Sequence, residues 1–379
     1  MLPAPVGWSA RAAAGLALSV GIAGFVPAGA EAAVWTVSPV PSPPQDCGLA
    51  SVDRVPGHAT VWVVGSCPGP QLVSYRRREN RPWEVILVPT SDDSGLQSVA
   101  AVNGRDVWAV GDTSGAFPGI EGLIEHWDGT AWAQVPSPDP GLGTAHQTIL
   151  SGVAVASPTS VWAVGWHTGG RNRQRTLVEH WNGSAWTVAP TPNANGLDNR
   201  LSAVVTVPST GSVWAFGVHA TPTGGSRQLI LHRGRYGWRV ARRQPFVPSS
   251  GLDGGAVVPG ASGGVWAVGG AHGHFLTERH SASGWRVVPS PSRQGSNVLT
   301  SAAAIPGTSH LWAVGNLSTG RRVVIMRWTG DSWRITPSPF PSGCPGLADV
   351  TAISRTNAWA VGFGSGCGSS VGPLAEHYH

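Results

Sequence analysis

The chain ends on GPLAEHYH (372–379) and opens its first ordered-looking segment on AVWTVSPVPSP (33–43). Read together, these two stretches decide the fold. Twice in the interior the first kind of segment runs straight into the second, as GLIEHWDGTAWAQVPSPDP (122–140) and TLVEHWNGSAWTVAPTPN (176–193). At the C-terminus the Glu-His arrives and the Trp-containing continuation does not. Residues 33–38 supply that continuation from the other end of the chain.

The same interruption organises everything between. VWVVG at 61 is followed by VWAVG at 107 and 161, VWAFG at 213, VWAVG at 265, LWAVG at 311 and AWAVG at 358. Their tryptophans are Trp62, Trp108, Trp162, Trp214, Trp266, Trp312 and Trp359. A second series follows them, Trp83, Trp132, Trp186, Trp238, Trp285 and Trp333, and Trp35 is its seventh member. Each repeat holds four short apolar runs separated by Gly, Pro, Asn or Asp, the pattern of a four-stranded antiparallel meander. In the second repeat the runs fall near 97–102, 106–110, 123–127 and 131–135. One such sheet has two apolar faces and cannot bury both. Seven set radially bury each face against a neighbour, so the chain is expected to be an all-β, seven-bladed propeller whose N-terminal strand completes the last blade. The runs LQSVAAV, LSGVAVA, LSAVVTV, TSAAAI and ADVTAI are rich in small residues, as the crowded axis requires, and the bulky Trp belong farther out.

Composition agrees. There are 52 Gly, 32 Pro and 19 Trp with 12% charged residues, too apolar for a disordered chain. All 25 basic residues are Arg, and they form no stripe, so a nucleic-acid partner is not expected. Residues 1–30 read as an export signal: Arg11, the apolar run 12–26 and small residues AGA at 28–30. The mature propeller would then span 31–379, outside the cytoplasm, as a monomer without a further membrane segment.

In an exported chain the four cysteines are expected to pair. Cys47 and Cys344 precede inner strands, and Cys67 and Cys367 follow the WAVG strand. Loops from an outermost to an inner strand, and from a second to a third strand, emerge at one end of a blade. Cys47–Cys67 and Cys344–Cys367 are therefore within reach, each closing about 20 residues and worth roughly 3 kcal/mol. No CxxC spacing is present, and neither a metal nor a cofactor is expected.

The layout VWAVG, HWDGTAW, VPSP resembles a kelch-type blade of the galactose-oxidase-like propellers over nearly the whole mature chain, although the double Gly of kelch follows this strand only at Gly269–Gly270. The hairpins WDGTAW and WNGSAW are similar to the Asp-box of secreted sialidase-like propellers in their Gly-x-x-Trp, and to the turns of bacterial propeller lectins. The resemblance implies the fold and no particular activity.

Residues on the repeat grid are expected to serve the blade. That covers Glu125–His126, Glu179–His180 and Glu376–His377, with His232, His280, Arg77 and Arg327 read as their equivalents. Off the grid, Trp166 opens an expected loop GWHTGGRNRQR (165–175) carrying His167, Arg171, Arg173 and Arg175, with His146 and His219 in neighbouring loops. An indole among Arg and His donors suits a sugar ring or a protein surface. No catalytic residue is nominated. The expected function is a non-catalytic binding module for a glycan or an extracellular protein. The alternatives are a passive envelope scaffold, or a secreted hydrolase or lyase using His146, His167 or His219 with Asp92, Asp93, Asp112 or Glu121.

Overall fold

A computed structural model describes residues 33–379 apart from 42–46, 68–71, 91–92, 115–118, 142–145, 242–243, 260–263, 292–294, 318–321, 340–344 and 366–370. The expected export signal, Cys344, Cys367 and Asp92 lie outside the described residues.

Seven four-stranded antiparallel sheets follow one another, and the seventh takes its outermost strand, Trp35–Val37, from the N-terminal end, paired with Val371–Tyr378. The inner strand of each sheet packs beside the next, and the ring closes where Gly346–Ser354 meets Gly48–Arg54. In the second blade the strands are Ser94–Asn103, Asp106–Thr113, Glu121–Trp127 and Trp132–Gln134. The first three are longer than expected because pairing continues past the WAVG glycine. No helix among the described residues is long and apolar enough to cross a membrane.

Tryptophans hold the blades to one another in a sevenfold pattern. Each WAVG Trp meets the outer-strand Trp of the following blade edge to face, at centroid distances between 5.1 and 5.7 Å. The pair Trp312–Trp35 keeps the pattern unbroken across the chain ends. The other ring face is covered from within the blade by His126, His180, His232 and His377, or by Arg76, Arg279 and Arg327. Strand register thus corrects two expected equivalences. Arg76 and Arg279, not Arg77 and His280, stand opposite Trp62 and Trp266. Arg77 and His280 belong to the next column, where Trp127, Trp181, Arg233, Trp328 and Tyr378 also lie, and this column covers the Trp of the preceding blade. Repeated aromatic contacts of this kind add about 0.5–1.5 kcal/mol each beyond area burial.

Every inner strand carries a β-bulge at the same place, between Leu49 and Ser51 in the first blade and between Leu347 and Asp349 in the seventh. The bulge accounts for the glycine of WAVG. A Cβ on Gly65, Gly111, Gly165, Gly217, Gly269, Gly315 or Gly362 would overlap an inner-strand carbonyl oxygen, such as that of Ile149 beside Gly165.

Candidate functional site

The bulges push one residue per blade toward the axis: Ala50, Gln97, Ser151, Ser202, Asp253, Thr300 and Ala348. All seven line an axial shaft of about 520 Å³, whose remaining wall is mostly Ala, Val, Ser and Gly. This polar ring lies near the end where the inner strands begin, hereafter the upper end. Gln97 and Asp253 are solvent-accessible. Gln97 Nε2 reaches Asp112 Oδ1 at 3.5 Å. The encircling wall desolvates Asp253 and lifts its carboxyl to about 6, against the opposing pull of Arg200. None of this ring was singled out by sequence. Its only signal is a polar residue directly after the leucine in five of the seven inner strands, Ala50 and Ala348 being the exceptions, and nothing linear says that a bulge will aim it inward.

Deeper in the shaft the acids are structural. Asp349 accepts Ser301 Oγ from the sixth blade at 2.5 Å, and Ser51 Oγ and the Val52 amide from the first at 2.7 and 2.9 Å. It therefore ties three blades together at the closure. Asp53 accepts the Ala101 amide of the second blade at 3.0 Å, and burial raises its carboxyl to about 6.

The Glu-His pairs divide their work. The glutamates of the third strands, Glu125, Glu179, Glu278 and Glu376, are buried, and desolvation raises them to about 7, 8, 7 and 7. Three take donors from the preceding blade: Ser137 Oγ to Glu179 at 3.0 Å, Gln228 Nε2 to Glu278 at 3.3 Å and Ser338 Oγ to Glu376 at 2.8 Å. Ser137 and Ser338 are the serines of Pro-Ser-Pro turns. The histidines stack on Trp and bond the head of the neighbouring strand, as His126 does to Asp106 at 2.9 Å and His377 to Asn357 at 3.1 Å. The turns that resemble Asp-boxes are likewise local: Asp128 Oδ1 accepts the amides of Thr130 and Ala131, and Asn182 Oδ1 those of Ser184 and Ala185.

Of the residues expected off the grid, Trp166 and His167 are in a strand, Ser160–Gly169, rather than a loop; the turn is confined to Gly170–Asn172. Trp166 is half-buried and pairs in register with Ile149 and Thr176, one step above the bulge. His167 and His219 are on the grid after all, each two places past the glycine. Each ring Nδ1 meets a neighbouring carbonyl, Thr168 at 3.3 Å and Ala220 at 3.0 Å, and His219 is buried. In the first blade that column holds Cys67, which forms the expected disulfide with Cys47.

His146 joins Asp139. The His146 ring meets Asp139 Oδ2 at 2.6 Å, and the charge of Asp139 also reaches His167, whose burial lowers its pKa. Arg171, Arg173 and Arg175 line a separate groove with Gly170, Asn172 and Gly196–Asp198. There Asp198 pairs with Arg173 at 3.7 Å, and Arg171 and Asn172 are held at positive φ. So the structure joins His146 to Asp139, pairs His167 in register with Arg175, lines a groove with the three arginines, and leaves His219 in the blade.

No family model matches the chain, and no curated protein matches it in sequence. Its likenesses are to solved structures. The sialidase of Trypanosoma rangeli is 13% identical, with 86% of this chain and 59% of that one covered, at a TM-score of 0.51. The lectin SapL1, in complex with alpha methyl fucoside, is 12% identical, with 78% and 97% covered, at 0.49. The soluble aldose sugar dehydrogenase of Escherichia coli is 13% identical, with 91% and 99% covered, at 0.46. The chain thus spans less than two thirds of the sialidase. At these identities the likeness concerns the β-propeller fold alone.

Proposed function

We propose that the chain is an exported, non-catalytic propeller that binds a polyhydroxylated glycan, or a polar segment of an extracellular protein, at its upper end. The observation that carries this reading is the bulge ring: Gln97, Ser151, Ser202, Asp253 and Thr300 line an open shaft whose wall is otherwise mostly small residues, with Asp53, Arg54 and Asp349 deeper in. Pockets that orient a polar ligand combine a smooth wall with a few convergent donors and acceptors, and this one has both. The half-buried Trp166 and the arginine groove extend the same end outward and would add stacking and charge to a longer ligand.

A glycan array probed with the full chain and with Gln97→Ala, Asp253→Asn and Trp166→Ala tests it. Selective binding that falls at least tenfold in both shaft variants supports the site. Binding lost only in Trp166→Ala moves the ligand to the outer groove. Silence from a folded protein removes the glycan and leaves a protein partner or a passive scaffold.

A second reading rests on Asp253 itself. An accessible carboxyl near 6 has the proton affinity that a general acid or base needs at neutral pH, which fits a hydrolase or lyase. Release of new sugar ends by the parent, lost in Asp253→Asn, would favour that reading over simple binding.

A further inference from the structure

We propose that Glu121, Asp139 and His146 form a site for one divalent ion of the zinc class at the junction of the second and third blades. The three come from separate segments: the head of a third strand, the turn after an outermost strand, and the approach to the next inner strand. Their ligand atoms lie within 4.8 Å of one another. The site is outside the shaft and does not depend on the reading of the bulge ring.

Two features go beyond a chance meeting of polar side chains. The His146 ring is clamped between glycines, since a Cβ on Gly119 would fall 2.8 Å from its Cε1 and one on Gly141 2.7 Å from its Cδ2. Both glycines therefore keep the space that this imidazole fills. Asp139 is oriented by donors on one oxygen only. Its Oδ1 accepts Thr148 Oγ1 at 2.5 Å and the Gly141 amide at 3.0 Å, which turns Oδ2 toward His146 Nε2. Supporting hydrogen bonds of this kind position metal-ligating carboxylates. Glu121 is exposed and makes no side-chain hydrogen bond among the described residues, so it is able to swing inward.

One imidazole nitrogen and two carboxylate oxygens match zinc, which takes His and Asp or Glu at about 2.0–2.2 Å and keeps a fourth position open when three protein ligands bind it. Calcium would need about six to eight oxygens, more than these side chains offer. Water or an oxygen of a bound ligand would complete the tetrahedron. His167 is not counted as a ligand, because among the described residues only Glu121, Asp139 and His146 bring their ligand atoms within 4.8 Å of one another. Sequence missed the site because positions 121, 139 and 146 show no metal-binding spacing, and only the blade junction brings them together.

The test is calorimetric titration of the chelator-treated full chain with Zn2+, and separately with Ca2+, beside His146→Gln, Asp139→Asn and Glu121→Gln. Expected are one Zn2+ per chain, at least tenfold weaker binding in His146→Gln and Asp139→Asn, a several-fold loss in Glu121→Gln, and no competing Ca2+ site of similar affinity. Glu121→Gln disturbs no contact in the fold and keeps the test decisive if the other two fail to fold. A flat parent titration overturns the proposal. So does Zn2+ binding that is unchanged in Glu121→Gln and in a folded His146→Gln, which would place the ion on other histidines.

Discussion

Gly165 illustrates how a residue that looks like simple punctuation is set by a long-range contact. It ends the WAVG phrase, and its missing side chain is where the Ile149 carbonyl passes as the inner strand bulges. Gly165→Ala must push that carbonyl aside and flatten the bulge, so a loss of about 3 kcal/mol is expected in denaturant unfolding. Gly170→Ala, five residues on, has open space around its Cβ and serves as the control, with less than about 0.5 kcal/mol expected. Equal effects of the two would mean that the bulge is not the reason for the glycine. The recurrence of this glycine was plain in sequence; its cause was not.

At the scale of the element, three devices meet around the closure of the ring. Trp35 docks against Trp312 and Tyr378, the Cys47–Cys67 disulfide anchors the first blade, and Asp349 bridges blades six, seven and one. Asp349→Ala removes an acceptor used by Ser301, Ser51 and the Val52 amide, all packed at the axis. Its expected cost is about 2–4 kcal/mol, with fast hydrogen exchange appearing first in Trp35–Val37 and Val371–Tyr378. Uniform exchange around all seven blades would show that closure is not the point of failure. The strand swap itself was legible, because a missing Trp at one end and a surplus Trp at the other admit few other readings. The clasp was not, since Asp349 resembles any polar residue of an inner strand until neighbouring blades surround it.

Over the whole molecule, the buried titratable groups set how stability responds to pH. The glutamates on the third strands sit near 7 to 8 in the fold, well above their unfolded value near 4.5, so the folded state holds more protons from about pH 4.5 to 8 and loses stability as pH rises. Burial lowers His180, His232, His280 and His377 instead, so these favour the folded state increasingly as pH rises to about 6.5 and add nothing beyond it. The two trends oppose one another below 6.5, and only the glutamate trend remains above it. The melting temperature is therefore expected to fall by several degrees between pH 6.5 and 8.5, with Glu179→Gln reducing that fall. A melting temperature that climbs steadily to pH 8.5 would contradict this assignment.

What sequence alone determined is the architecture: seven blades, their order, the borrowed strand, and a first-blade disulfide. These follow from periodicity, because a repeat that must bury two faces leaves the same apolar pattern each time it occurs. It also indicated that the Glu-His pairs serve the blade, though it placed Arg77 and His280 one residue out of register, since bulges and turn lengths shift pairing without marking the sequence. The sites were decided by tertiary structure. Gln97 and Asp253 line one shaft from different blades, and Glu121, Asp139 and His146 meet at a blade junction, only because the blades pack around an axis. Neither grouping has a linear spacing to betray it, because the side chains that converge are supplied by different blades.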